Sequence, residues 1–82
     1  MFYVYLLKSG KDGSFYVGQT DNLEARIIRH NSGFVSSTRK KIPWRIVGYE
    51  EYQVRDEARW REYNIKRSYS KKKEFIEKFL SP

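Results

Sequence analysis

The chain has 82 residues, no cysteine, and a formal net charge of +7 from 17 basic and 10 acidic side chains. That length fits one domain spanning residues 1–82, and the lack of cysteine excludes disulfides and thiolate metal sites. The charge points to a polyanionic partner, nucleic acid before an anionic membrane.

A single histidine, His30, argues against a zinc site. A small chain without disulfides is expected in a reducing compartment, the cytoplasm. So small a domain buries only about 60% of its unfolded surface. Its core must therefore draw on large rings, and 17% of the residues are aromatic.

Residues 2–7 (FYVYLL) are apolar, aromatic and β-branched, which predicts a buried strand. The run at 9–14 (SGKDGS) reads as a turn and 15–18 (FYVG) as a second strand. The resulting hairpin sets Tyr5 and Tyr16 on neighbouring strands. Asp21-Asn22-Leu23-Glu24 has capping-box spacing, with Asp21 able to cap a helix over about 22–30. Asn31-Ser32-Gly33 ends it. Residues 33–43 read as a polar, basic loop, 44–52 as a third strand and 56–67 as a second helix. Ser70 can cap a last helix that carries Phe75, Ile76, Phe79 and Leu80 on one face.

The order β-β-α-β-α-α predicts an α+β fold, a small, mainly antiparallel sheet covered by helices. Where the third strand joins the hairpin stays open. No run of about 18 apolar residues exists to span a membrane. The opening MFYVYLLKSGKDG lacks the basic start of a signal peptide.

Three features carry chemistry. Arg26 and His30, four apart, share a helix face on the flank of the Leu23/Ile27 stripe, which aims them toward the sheet. The alternative is an arginine that snorkels and a histidine that suits the helix end. Glu62 falls in the row Ala58, Glu62, Ile65, Tyr69, a carboxylate among apolar neighbours. Its alternative is a rim position paired with Lys66. Third, the loop cluster Thr38-Arg39-Lys40-Lys41 adds positive charge, and aromatics alternate with basic residues at Trp44-Arg45, Arg59-Trp60-Arg61 and Lys66–Tyr69. Such mixing suits phosphates and base stacking, or else a solvated surface over an aromatic core.

Tyr3-Val4-Tyr5, ten residues, then Tyr16-Val17-Gly18 resemble the two halves of the GIY-YIG motif. Gln19 to Leu23, Arg26, His30 to Gly33, Pro43-Trp44, Glu57-Ala58, Glu62 and Ile65-Lys66 extend the likeness over nearly the whole chain. It is strongest toward the small bacterial members, related to the nuclease domain of the repair excinuclease C subunit. Tyr3 replaces the first glycine.

The resemblance implies a three-stranded antiparallel sheet and a metal-dependent endonuclease, with DNA the expected substrate over RNA. It implies that Tyr5 and Tyr16 are active-site tyrosines and that Arg26 binds the scissile phosphate. It further implies that His30 assists proton transfer or orients a tyrosine, and that Glu62 holds one weakly bound Mg²⁺ or Mn²⁺ ion. Gly18 is a backbone position of the motif. Nearby positive charge is expected to lower the Tyr5 pKa from its ordinary value near 10. Arg39, Lys40, Lys41 and Lys66 are expected to contact nucleic acid. A monomer or weak dimer is expected, with no membrane partner. A binding module of the same fold without turnover remains the alternative.

Overall fold

The computed structural model describes residues 1–80. Residues 81 and 82, the end of the predicted 1–82 domain, lie outside that range.

Strand β1 (Phe2–Ser9) runs through the centre of a three-stranded antiparallel sheet of order β2-β1-β3. Strand β2 (Phe15–Thr20) pairs with it as the hairpin partner, and β3 (Trp44–Tyr52) takes the other edge. Both hairpin strands run two residues beyond their predicted ends at Leu7 and Gly18. Helix α1 (Leu23–Asn31) follows β2; α2 (Arg55–Arg67) and α3 (Tyr69–Leu80) follow β3. The element order is the predicted one.

The alternation of β1 divides the molecule. Val4 and Leu6 point to one face, where they pack with Val17, Ala58, Ile65 and Phe75 under α2 and α3. Tyr5 and Leu7 point to the other, with Trp44, Leu23 and Ile27 under α1. An irregularity between Leu6 and Leu7 leaves Val47 of β3 without a partner in β1. Val47 packs on the α2/α3 side, as an extra residue in a bulged strand can.

Local capping differs from the prediction in two places. The cap of α1 is Asn22, whose side chain accepts from the Ala25 N–H, so Asp21 lies one residue too early. At α3, Ser68 rather than Ser70 accepts from the Lys71 N–H at 3.2 Å, because the helix already begins at Tyr69. The predicted loop 33–43 contains a 3₁₀ turn, Arg39–Lys41. Of the predicted apolar face of α3, Phe75 is buried, Ile76 and Phe79 pack against the core, and Leu80 is half exposed.

Two glycines give the faces room. A methyl group on Gly18 would overlap the Tyr5 hydroxyl on the α1 side, and one on Gly48 would overlap the Phe79 ring on the α3 side. Each glycine is needed for close approach of an aromatic ring, not for an unusual backbone angle.

Candidate active site

The α1 face of the sheet holds a polar chain inside an aromatic wall. Tyr5 lies across Gly18, its partner in the β1–β2 register. Its hydroxyl meets His30 Nε2 at 2.9 Å and accepts from Arg26 Nε at 3.4 Å. His30 Nδ1 meets Thr38 Oγ1 at 2.8 Å, and Thr38 in turn donates to the Val35 carbonyl. His30 and Thr38 are both fully buried.

The network assigns the protons. Since Thr38 donates to Val35, its oxygen is free to accept the His30 Nδ1–H. That leaves Nε2 as an acceptor, so the Tyr5 O–H donates to it. A neutral ring is required, and the surroundings supply it. Burial first, then the charges of Arg26 and Lys66, push the His30 pKa down to about 4.

Tyr5 moves opposite to the expectation of a lowered pKa. Burial pushes its hydroxyl up to about 12 against the pull of Arg26, and the charges of Tyr16 and Glu62 act in the same direction as burial. Desolvation wins because the ring is almost wholly enclosed, while the guanidinium reaches it at the long end of hydrogen-bond distance.

Tyr16 closes the wall. Its ring centroid lies 5.2 Å from that of His30 and 6.2 Å from that of Trp44. Lys66 Nζ sits 4.9 Å above the same ring. Lys66 also pairs with Glu62 at 3.3 Å, one helical turn away. Thus α2 brings Glu62 and Lys66 to the tyrosine pair. The charge of Glu62 acts on both Tyr5 and Arg26. The predicted apolar row containing Glu62 ends at Ile65, because Tyr69 belongs to α3 and is 84% exposed. Glu62 occupies the rim pairing that was its alternative.

The loop that carries Thr38 is pinned from several sides. Trp44 Nε1 donates to the Thr38 carbonyl at 2.8 Å. Asn31 spans the start of β3, its amide donating to the Trp44 carbonyl and its oxygen accepting from the Trp44 N–H. Arg39, Lys40 and Lys41 are exposed beyond this anchor. Lys41 reaches Asp12 at 3.6 Å and the Ser14 hydroxyl at 3.1 Å, tying the basic turn to the β1–β2 hairpin.

The structure therefore gathers Tyr5, Tyr16, Gly18, Arg26 and His30, places Glu62 and Lys66 beside them, and sets Arg39 to Lys41 on a separate exposed turn. Sequence reasoning missed Thr38 as the partner of His30. The signal was slight: one small hydroxyl residue at the head of a basic run.

A divalent cation takes oxygen ligands, and Mg²⁺ is commonly held by one or two carboxylates together with substrate phosphates and water. Among the described residues no three His, Cys, Asp or Glu side chains converge as a cage. Glu62, half-buried and paired with the flexible Lys66, fits the one-carboxylate arrangement.

Comparison with known families agrees with the fold described above. The GIY-YIG catalytic domain matches residues 1–74, which places the chain among nuclease-type domains. It belongs to the GIY-YIG family. A UPF0213 protein of Clostridium perfringens is 47% identical over 68 residues, covering 82% of this chain and 72% of that one. Another, from Staphylococcus saprophyticus, is 42% identical over 65 residues, 78% of each chain. The solution NMR structure of a UPF0213 protein from Bacillus halodurans matches with a TM-score of 0.61 and 36% identity, over 100% of this chain and 89% of that one.

Proposed function

We propose that the chain is a metal-dependent endonuclease that hydrolyses phosphodiester bonds, with DNA as substrate, in the cytoplasm. The observation that carries this reading is the chain Arg26–Tyr5–His30–Thr38, buried from Tyr5 to Thr38 and half-buried at Arg26, set into an aromatic wall. Burying three polar side chains in so small a core, with Arg26 at its edge, is costly unless each is partnered. An apolar set would stabilise the fold more simply. The polar chain suits proton movement beside a phosphate.

In this reading Arg26 binds a phosphoryl oxygen and opposes the charge that builds there. Tyr5 takes a proton from the attacking water as its own O–H proton passes to His30 Nε2. Thr38 holds the ring so that Nε2 faces the tyrosine. In the substrate-free site this transfer runs uphill, with Tyr5 at about 12 and His30 at about 4. An anionic phosphate beside His30 favours the imidazolium and lessens that gap. Tyr16 walls the His30 side of the pair, and Gly18 leaves room for the Tyr5 ring against the sheet. Glu62 would hold the Mg²⁺ or Mn²⁺ ion once Lys66 turns away. Bound there, the ion would polarise water and phosphoryl oxygen. Arg39, Lys40 and Lys41 would contact the phosphate backbone away from the reacting centre.

The test is nicking of supercoiled plasmid with Mg²⁺ or Mn²⁺, comparing the wild-type chain with Glu62→Ala and Arg26→Ala. Loss of an electrostatic contact of this kind costs roughly 10²–10³ in rate. Equal nicking by all three would sink the proposal.

A binding module without turnover is the second reading. It is favoured by the firmly held Tyr5 proton and by the occupation of Glu62 by Lys66. It predicts salt-sensitive DNA binding that survives both substitutions, with no cleavage under any metal.

A further inference from the structure

The outer side of α2 carries an aromatic ridge that the active-site reading does not use. Of the two tryptophans, Trp44 is buried, whereas Trp60 is 67% exposed. The Trp60 ring stacks on Tyr63, with centroids 5.8 Å apart and planes inclined by 27°. The Arg67 guanidinium lies 5.0 Å over the Tyr63 ring and donates to its hydroxyl at 2.9 Å. At about 100° per residue, Trp60, Tyr63 and Arg67 share the side of α2 opposite Ala58 and Ile65, which are both fully buried. The three planar groups are thus held in register on solvent.

Charge and shape say what covers them. Among the described residues neither Arg59 nor Arg67 forms an ion pair, while Arg55, Arg61 and Lys66 each do. Trp60 and Arg67 both lie against the Tyr63 ring, so the exposed Trp60 ring at the end of this stack is the surface left for a base. Beside Trp60 a groove of about 350 Å³ is lined by Tyr52, Glu57, Arg61, Asn64 and Lys71. Asn64 donates to the Trp60 carbonyl, which leaves its side-chain oxygen able to accept from a base edge. The other flank of the ridge is Lys66, which already touches Tyr16 and Glu62. The ridge is therefore continuous with the candidate active site.

We propose that this ridge binds an unpaired stretch of the DNA strand that leads away from the scissile phosphate. A base stacks on the exposed Trp60 ring, which Tyr63 and Arg67 hold from behind, and the strand's phosphates meet Lys66, Arg59 and Arg67. A helix is roughly 10–12 Å wide, and stacked nucleotides rise ~3.4 Å each, so a strand crossing α2 places about three nucleotides on it. Aromatic stacking accepts any base, because every base has a π-face, but bases within a duplex hide theirs. The surface thus selects for unpaired DNA rather than for sequence. Continuity of the strand into the active site rests on the nuclease reading; binding to the ridge does not.

The experiment is a fluorescence titration of the full chain, carrying Glu62→Gln and without divalent metal, at low salt. The probe is an oligothymidylate of about twelve residues, within the range of known single-strand sites. Stacking on Trp60 is expected to quench its emission. Trp60→Leu should remove that quenching and weaken binding about 5- to 150-fold, the range of one lost stacking contact. Tyr63→Leu should weaken it less, and circular dichroism checks that both variants fold. A blunt duplex of equal length should quench much less. The proposal is overturned if both variants bind as tightly as their parent, or if the duplex quenches equally. A dimer that Trp60→Leu dissociates, with no response to the oligonucleotide, would assign the ridge to a second copy of the chain and also overturn it. Plasmid nicking is scored separately. Intact nicking without strand binding removes the ridge alone, and intact binding without nicking removes the nuclease reading alone.

Discussion

The two faces of the sheet share β1 yet fill with opposite chemistry. Toward α2 and α3, Val4, Leu6, Val17, Ala58, Ile65 and Phe75 make an ordinary apolar core. At its edge Glu50 sits under Arg61 and Lys78. Toward α1, Tyr5 and Trp44 enclose His30 and Thr38, so the interior there is a hydrogen-bonded chain. One face holds the fold together. The other spends stability to keep polar groups in place, which is the usual mark of a functional site.

The largest test of this division is Phe75→Ala. It should cost about 3–5 kcal/mol in urea unfolding, a large share of the roughly 5–15 kcal/mol that small domains possess. Chains that remain folded should keep their activity.

Acid separates the faces next. The His30 pKa is about 4 when folded and near 6.5 when unfolded. The unfolded chain therefore binds this proton first, and stability falls as pH drops from about 6.5 to 4, by up to a few kcal/mol. Burial alone would raise the Glu50 pKa. Hydrogen bonds from Arg61, Lys78 and Tyr52 overcome it and hold the carboxyl at about 2. Its contribution is present above pH 4.5 and is lost as pH falls toward 2. Unfolding free energies measured across pH for wild type and His30→Gln should show the upper window vanish in the variant while the lower one stays.

The glycines sharpen the contrast. Gly48→Ala and Gly18→Ala each force an aromatic ring to move, and overpacking of this kind costs about 1–3 kcal/mol. The two should lose similar stability by thermal melting. Only Gly18→Ala, which displaces the Tyr5 hydroxyl, should also abolish nicking.

The smallest effect is expected for Lys66→Met. Its ion pair with Glu62 is a one-turn helical pair worth about 0.3–0.5 kcal/mol. Stability should barely change, while the metal concentration needed for half-maximal nicking should fall as Glu62 is released.

Much of this was legible in the sequence where the signal was local. The i, i+4 spacing put Arg26 and His30 on the flank that faces the sheet, and His30 does reach Tyr5. The hairpin and the order of elements followed from apolar runs and turn residues. The central place of β1 did not, because pairing with β3 is decided by tertiary packing. Thr38 was hidden because a loop residue has no periodicity to aim it. Glu50 was hidden because the strand pattern around it, Trp44 to Tyr52, is interrupted by the irregularity at Val47. The direction of the Tyr5 shift was misread since burial, which outweighs Arg26, is a property of the folded chain.

The shared strand has a consequence for quality control during folding. Side chains along β1 alternate strictly between the two faces, so a slip of one residue would carry Leu6 into the place of Tyr5 and Tyr5 into the apolar core. The same error that erases the polar chain also puts a hydroxyl into the hydrophobic side. Misregistered molecules are thus marked for removal by their own instability, and the population that survives is the one with the tyrosine in position.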